Sequence, residues 1–156
     1  MTRYKRPVSV LVVVHTPELR FLLLERASLR AHWQSVTGSV EEGESPIETA
    51  RREVEEETGI LAPQTDFRDW RITNTFEIHT AWRHRYAPGV VYNAEHVYSL
   101  QIERERPVRL APDEHTDYCW LSWEEAAEKC FSWSNRDAIR LIAQKAVENA
   151  TYANLE

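Results

Sequence analysis

This chain predicts an α/β fold, and three observations carry the prediction. Short alternating or wholly apolar runs mark six strands, two Ser-x-x-Glu boxes mark helix starts, and strands and helices alternate along the chain. The 156 residues are enough for one domain with a real core, and 42% apolar residues excludes wholesale disorder. No repeat, linker or long Gly, Ser or Pro tract divides the sequence, so residues 1–156 are read as a single domain.

The elements follow in order. Val8 to Val14 is an uninterrupted apolar run, read as a buried strand; it is too short to span a bilayer and no small-residue cleavage site follows it. Thr16-Pro17 turns the chain into a strand from Leu19 to Leu24, and Gln34 to Thr37 forms the next. A helix is predicted from about Pro46 to Thr58: Ser45 is the N-cap, Pro46 takes the first helical position, Glu48 completes the capping box and Gly59 ends the helix. Strands come next at about Arg71 to Thr80, Ala94 to Ile102 and Tyr118 to Leu121, with Pro88-Gly89 as a turn. Ser122-Trp-Glu-Glu125 starts a helix to about Cys130, and Ser134 or Asn135 caps a last helix reaching roughly Ala150. Trp70, Trp120 and Trp123 are assigned to packing, whereas Trp33 and Trp133 divide evenly between core and pocket.

The first of these helices carries the chemistry. At 100° per residue Glu53, Glu56 and Glu57 share one face, while Ile47, Ala50 and Val54 gather about a quarter-turn away, so one stripe packs on the core and the carboxylates turn toward a cleft. Like charges at these spacings repel by a few tenths of a kcal/mol per pair, a cost that interspersed lysines would relieve on a merely soluble helix. A divalent cation removes it, and hard carboxylate oxygens suit Mg²⁺ shared with substrate phosphates. From composition alone, a solvated acidic helix is the competing reading. The net charge of -6 argues against nonspecific duplex binding, yet a polyanionic substrate then needs a local basic cluster. Arg83-His84-Arg85 is the densest, with Lys5, Arg6 and Arg26 as further candidates. Two cysteines are too few for a disulfide scaffold, and a cytoplasmic setting with reduced thiols is expected.

From Gly38 to Ile60 the chain fills every fixed position of Gly-x5-Glu-x7-Arg-Glu-U-x-Glu-Glu-x-Gly-U, with U aliphatic. Average residue usage would produce that with a probability on the order of one in a billion per start position. On these residues the chain resembles the Nudix hydrolases. The resemblance implies an α/β/α sandwich around a mixed β-sheet, with the box helix and the C-terminal helix on opposite faces. It implies metal binding by Glu53, Glu56 and Glu57, with Glu44 and the Gly38 carbonyl nearby and Arg52 orienting a carboxylate. A further ligand from outside the box is expected at Glu114, in Asp113-Glu114-His115. Glu57, Glu53 and Glu114 are therefore the candidate catalytic residues, with Mg²⁺ as cofactor and Mn²⁺ as a substitute. In-line attack by a metal-activated water would expel pyrophosphate, its deprotonation left open among Glu57, Glu44, Glu114 and His115.

The likeness narrows further. Lys5 to Val10, Trp33 to Glu44, Arg83 to Val90 and Ser132 to Arg136 resemble stretches of the bacterial members of that family that act on dihydroneopterin triphosphate. By position, Lys5, Arg26 and Thr37 would meet the phosphates or the pterin edge. Phe76, Glu77, Ile78 and His79 would line the adjoining wall, and Ser132 would close the far side. The activity implied is Mg²⁺-dependent release of pyrophosphate in folate biosynthesis, leaving dihydroneopterin monophosphate, with nucleoside triphosphates such as dATP as further substrates. A general nucleoside triphosphate or dinucleoside polyphosphate hydrolase is the runner-up, and a nucleotide-sensing module the non-enzymatic alternative. The expected partner is a small pterin or nucleoside triphosphate, with no nucleic acid and no membrane, and the oligomeric state is open.

Overall fold

A computed structural model describes residues 3–155. Seven strands form one mixed sheet, ordered β3-β2-β1-β6-β5, with β4 paired to β1 and β7 to β2. The strands are β1 (Val8–His15), β2 (Arg20–Arg26), β3 (Trp33–Gln34), β4 (Val36–Ser39), β5 (Phe67–Glu77), β6 (Tyr92–Gln101) and β7 (His115–Ser122). The helices are α1 (Pro46–Thr58), α2 (Trp123–Lys129) and α3 (Trp133–Ala153). β1 runs parallel to β6 along its whole length and antiparallel to β4 and β2.

The unbroken apolar run of β1 now has its reason, because both faces of the strand are covered. Val10, Val12 and Val14 pack with Ala50 and Val54 of α1, while Leu11 and Val13 pack with Ile139 and Ile142 of α3. The box helix and the C-terminal helix therefore cover opposite faces, as the resemblance implied. Trp120 joins the α1 side, and Trp70, Trp123 and Trp33 the α3 side.

α1 has the predicted ends. Ser45 Oγ accepts from the Glu48 amide, the Glu48 carboxylate accepts from the Ser45 amide, and Gly59 closes the helix at φ 77°. A capping side chain of this kind contributes about 1 kcal/mol. The left-handed backbone at Gly59 lets its amide donate back to Glu55 O at 2.8 Å.

Four local expectations are corrected. The predicted strand Gln34–Thr37 is two strands, interrupted at Ser35, whose amide donates to Asn135 Oδ1 at 2.8 Å while Asn135 Nδ2 donates to Ser35 Oγ at 2.9 Å. A side chain from α3 thus replaces a strand partner. The N-cap of α3 is accordingly Ser132, which accepts from the Asn135 amide, and Ser134 and Asn135 lie buried inside the first turn. β5 starts four residues earlier than predicted, across a bulge at which Arg71 adopts φ 54° and its amide donates to Asp69 Oδ1. It also stops at Glu77, because the His79 ring accepts from the Ala81 amide and turns Thr80–Arg85 into a 3₁₀ helix.

Candidate active site

Gly38 of β4 opens the site. A Cβ there would collide with the Glu53 carboxyl, so only glycine lets α1 lay that side chain against the strand. Arg52, one residue earlier, gathers the box. It donates through Nε and Nη2 to both oxygens of Glu44 at 2.7 and 2.9 Å, through Nη1 to Glu53 at 2.9 Å and Glu56 at 3.3 Å, and to Ser39 O at 3.1 Å. Arg52 therefore orients carboxylates. Its hydrogen bonds hold Glu44 down at about 2.

Glu53 and Glu57 behave differently. Burial, partly offset by Arg52, raises Glu53 to about 7, since the guanidinium also serves Glu44. Glu57 is 2% exposed, and burial, then the charges of Glu53 and Glu114, push it well above the usual carboxylate range. Its Oε2 accepts from the Thr37 amide at 3.3 Å. Thr37 Oγ1 in turn accepts from Gln34 Nε2, and Gln34 Oε1 from Arg26 Nη1, each at 3.1 Å. Arg26 is fixed a second time by the Trp82 ring, 4.4 Å from its guanidinium carbon.

Glu114, the carboxylate expected from outside the box, lies beside Glu57. Ligand atoms of Glu57, Glu114 and His115 lie within 4.8 Å of one another. His115 is 3% exposed, and burial together with Arg26 lowers its pKa to about 4, leaving a neutral imidazole whose buried Nδ1 has no hydrogen-bond partner. Two carboxylates that repel each other, beside a neutral imidazole with an unpaired nitrogen, form a donor set that fits a divalent cation. The sequence offers His115 only as one of several groups that could deprotonate the water. It is a buried member of the cluster.

A cavity of about 730 Å³ runs from this cluster across the α3 face of the sheet. Glu53, Glu57 and Glu114 line one end. Lys5, Arg26, Thr37, Phe76, Glu77, Ile78, His79 and Ser132, the eight residues expected to bind substrate, all line it as well. Glu56 does not: it is exposed and faces Arg52 rather than the cavity. Glu77 lines the wall as an ion-paired group, held by Arg83. The basic triplet consequently divides, Arg85 facing the cavity while Arg83 also donates to Ile78 O. Lys5 has its pKa lowered by burial and then by Arg85, so several cations share one small volume.

Sequence reasoning missed much of the far end. Trp82 and Phe131 form a wall with ring centroids 6.4 Å apart, and Trp133 lies on the cavity while Trp33 lies outside it under Lys129. Trp82 sits in a 3₁₀ turn without periodicity, so no pattern marked it. Asn93 and Glu95 of β6 were also missed. Their signal was present, because they fall in phase with the buried Val97, where a strand with one covered face should be apolar.

The NUDIX domain family profile matches residues 5–142. The dihydroneopterin triphosphate diphosphatase of Escherichia coli (strain K12) is 48% identical over 139 residues, spanning 87% of this chain and 91% of that protein. The protein of the same name from Haemophilus influenzae is 38% identical over 143 residues, spanning 90% and 89%. Among solved structures, the E. coli dihydroneopterin triphosphate pyrophosphohydrolase superposes with a TM-score of 0.83 at 45% identity, covering 88% of this chain and 95% of that one.

Proposed function

The chain belongs to the Nudix family and has its fold, and from that premise we propose that it is a single-domain, Mg²⁺-dependent pyrophosphohydrolase of dihydroneopterin triphosphate. The products are dihydroneopterin monophosphate and pyrophosphate, and simple nucleoside triphosphates such as dATP are slower substrates. The observation that carries this reading is the cavity itself, which joins a carboxylate cluster to an aromatic wall beside a group of cations. Polyphosphate and flat ring each find their chemistry at one end.

Glu53, Glu57 and Glu114, with His115 beside them and Glu56 on the exposed side of Arg52, would hold the divalent cations. When bound, these cations supply the positive charge that activates the attacking water and stabilises the charge developing on the phosphate oxygens. The chain's own residues do the rest. Arg52 keeps Glu44 and Glu53 in fixed rotamers, and Thr37 holds Glu57 through its amide. Lys5, Arg26 and Arg85 neutralise the triphosphate in an otherwise acidic protein. Trp82, Phe131 and Phe76 exclude water from the ring face.

We also place the enzyme in the cytoplasm. Cys119 and Cys130 are both free thiols, and among the described residues no helix is long and apolar enough to cross a membrane.

The test is product analysis with purified protein on dihydroneopterin triphosphate, dATP, 8-oxo-dGTP and a diadenosine polyphosphate, with and without Mg²⁺. The pterin should give the highest kcat/KM, with pyrophosphate as the product and no turnover after chelation. Preference for the diadenosine compound, or release of orthophosphate, would overturn the assignment.

A further inference from the structure

A second group of buried polar atoms lies across the cavity from the carboxylate cluster. Asn93 and Glu95 occupy alternate positions on β6, so both side chains leave the same face of the sheet as Val97, which belongs to the α3 core. Both line the cavity, and they are only 4% and 5% exposed. Asn93 Nδ2 donates to Ser9 Oγ at 2.7 Å, and Ser134 and Asn74 are hydrogen-bond partners of the Glu95 carboxyl, yet Asn93 Oδ1 and Glu95 Oε1 are each buried without a hydrogen-bond partner. Buried acceptors left without donors are costly, and polar groups in such positions normally find partners. Two on one cavity wall therefore point to a ligand that brings two donors.

Their placement constrains that ligand. Glu95 pairs with Ser9 of β1, and Ser9 pairs on its other side with Ser39 of β4. The acceptors thus sit two strand spacings, about 10 Å, from the segment that carries Gly38 against Glu53. A polyphosphate resting at the carboxylates leaves an attached ring to reach β6. Two neighbouring acceptors then ask for two neighbouring N–H donors on the ring edge. A 2-amino-4-oxopyrimidine, the edge common to pterins and guanine, presents a ring N–H next to an exocyclic NH₂. The corresponding adenine edge pairs a donor with an acceptor and would leave one oxygen orphaned.

We propose that Asn93 and Glu95 set ring specificity by accepting from the ring N–H and the 2-amino group of a 2-amino-4-oxopyrimidine substrate. The inference rests on the pyrophosphohydrolase reading and deepens it, by naming the atoms that separate a pterin from an adenine.

The test compares dGTP with dITP, which differ only by the 2-amino group, alongside dihydroneopterin triphosphate. Wild-type kcat/KM should favour dGTP by about tenfold to a hundredfold, the range for leaving one buried acceptor unpaired. In Glu95→Gln, which keeps the shape and places an amide in the pair, the dGTP/dITP ratio should fall toward one. The loss on dihydroneopterin triphosphate should appear mainly in KM. Asn93→Ser should reduce the same ratio by a smaller factor. A packing role would lower both nucleotides alike and leave the ratio standing, and that result would overturn the proposal while pterin hydrolysis survived. Equilibrium binding of the same pair separates the two readings. Binding discrimination lost in Glu95→Gln, in a protein that hydrolyses neither nucleotide nor the pterin, would remove the enzymatic reading and support this one.

Discussion

The two ends of the cavity are built in opposite ways. The phosphate end is supplied mostly by one continuous segment, in which Gly38, Glu44, Arg52, Glu53 and Glu57 lie within a strand, a turn and the first helix. The ring end is assembled from separated pieces: Ser9 on β1, Phe76 on β5, Trp82 in a 3₁₀ turn, Asn93 and Glu95 on β6, and Phe131 before α3. Charge dominates the first, and shape and hydrogen-bond pattern the second. The difference teaches where discrimination can reside. Metal ions and phosphates are common to every triphosphate substrate, so selection among rings must come from the end that the chain gathers over long sequence distances.

The largest effect should come from the phosphate end. Glu57→Gln removes a charge from the cluster while keeping the side-chain shape, and pyrophosphate release should fall by about a hundredfold or more for every substrate. Thermal melting should hold or rise, because a buried and repelled carboxylate is gone. Activity above a tenth of wild type, with unchanged melting, would take Glu57 out of the metal shell.

Glu114→Gln extends the comparison to a residue far from the box in sequence. Its activity should drop at least about tenfold, with the Mg²⁺ titration displaced to higher concentration, as expected when a ligand is lost. A normal rate and a normal metal dependence would make Glu114 an ordinary turn residue.

The ring end should respond selectively. Phe76→Ala should reduce kcat/KM for dihydroneopterin triphosphate by about 1–3 kcal/mol of transition-state binding, with a smaller reduction for dATP. Equal losses would make Phe76 scaffold and shift the ring contact to Trp82 or Trp133.

The smallest effect is on stability and again belongs to the phosphate end. Burial raises Glu53 from an ordinary 4.5 to about 7 and pushes Glu57 well above the usual carboxylate range, so the metal-free folded state holds protons more tightly than the unfolded chain. Their stabilising contribution is complete below about pH 4.5 and is lost as pH rises through 7. Melting of the metal-free protein should fall by a few degrees across that window, and Mg²⁺ should largely cancel the fall. A flat profile without metal would mean that water or Arg52 compensates these carboxylates fully.

What the amino-acid order determined by itself is the local chemistry. The bounds of α1 were legible because Ser45, Pro46, Glu48 and Gly59 act within a few residues of one another, through caps and one left-handed turn. The buried character of β1 followed from its unbroken apolar run, whereas Arg52's role as an orienting group came from the resemblance of the box. The resemblance of the box extended this to Glu114, whose position periodicity could not supply. Tertiary structure decided the rest. Ser35 breaks a strand only because Asn135, one hundred residues later, reaches its amide. Glu56 leaves the cavity although it shares a helical face with Glu53 and Glu57, because position around the axis fixes a direction and the packing of α1 fixes which part of that face is covered. Asn93 and Glu95 fall in phase with Val97, so their strand marks them as polar residues on a face expected to be apolar, but not what covers them. Only the closure of α3 over that face buries them and leaves two acceptors waiting inside the cavity.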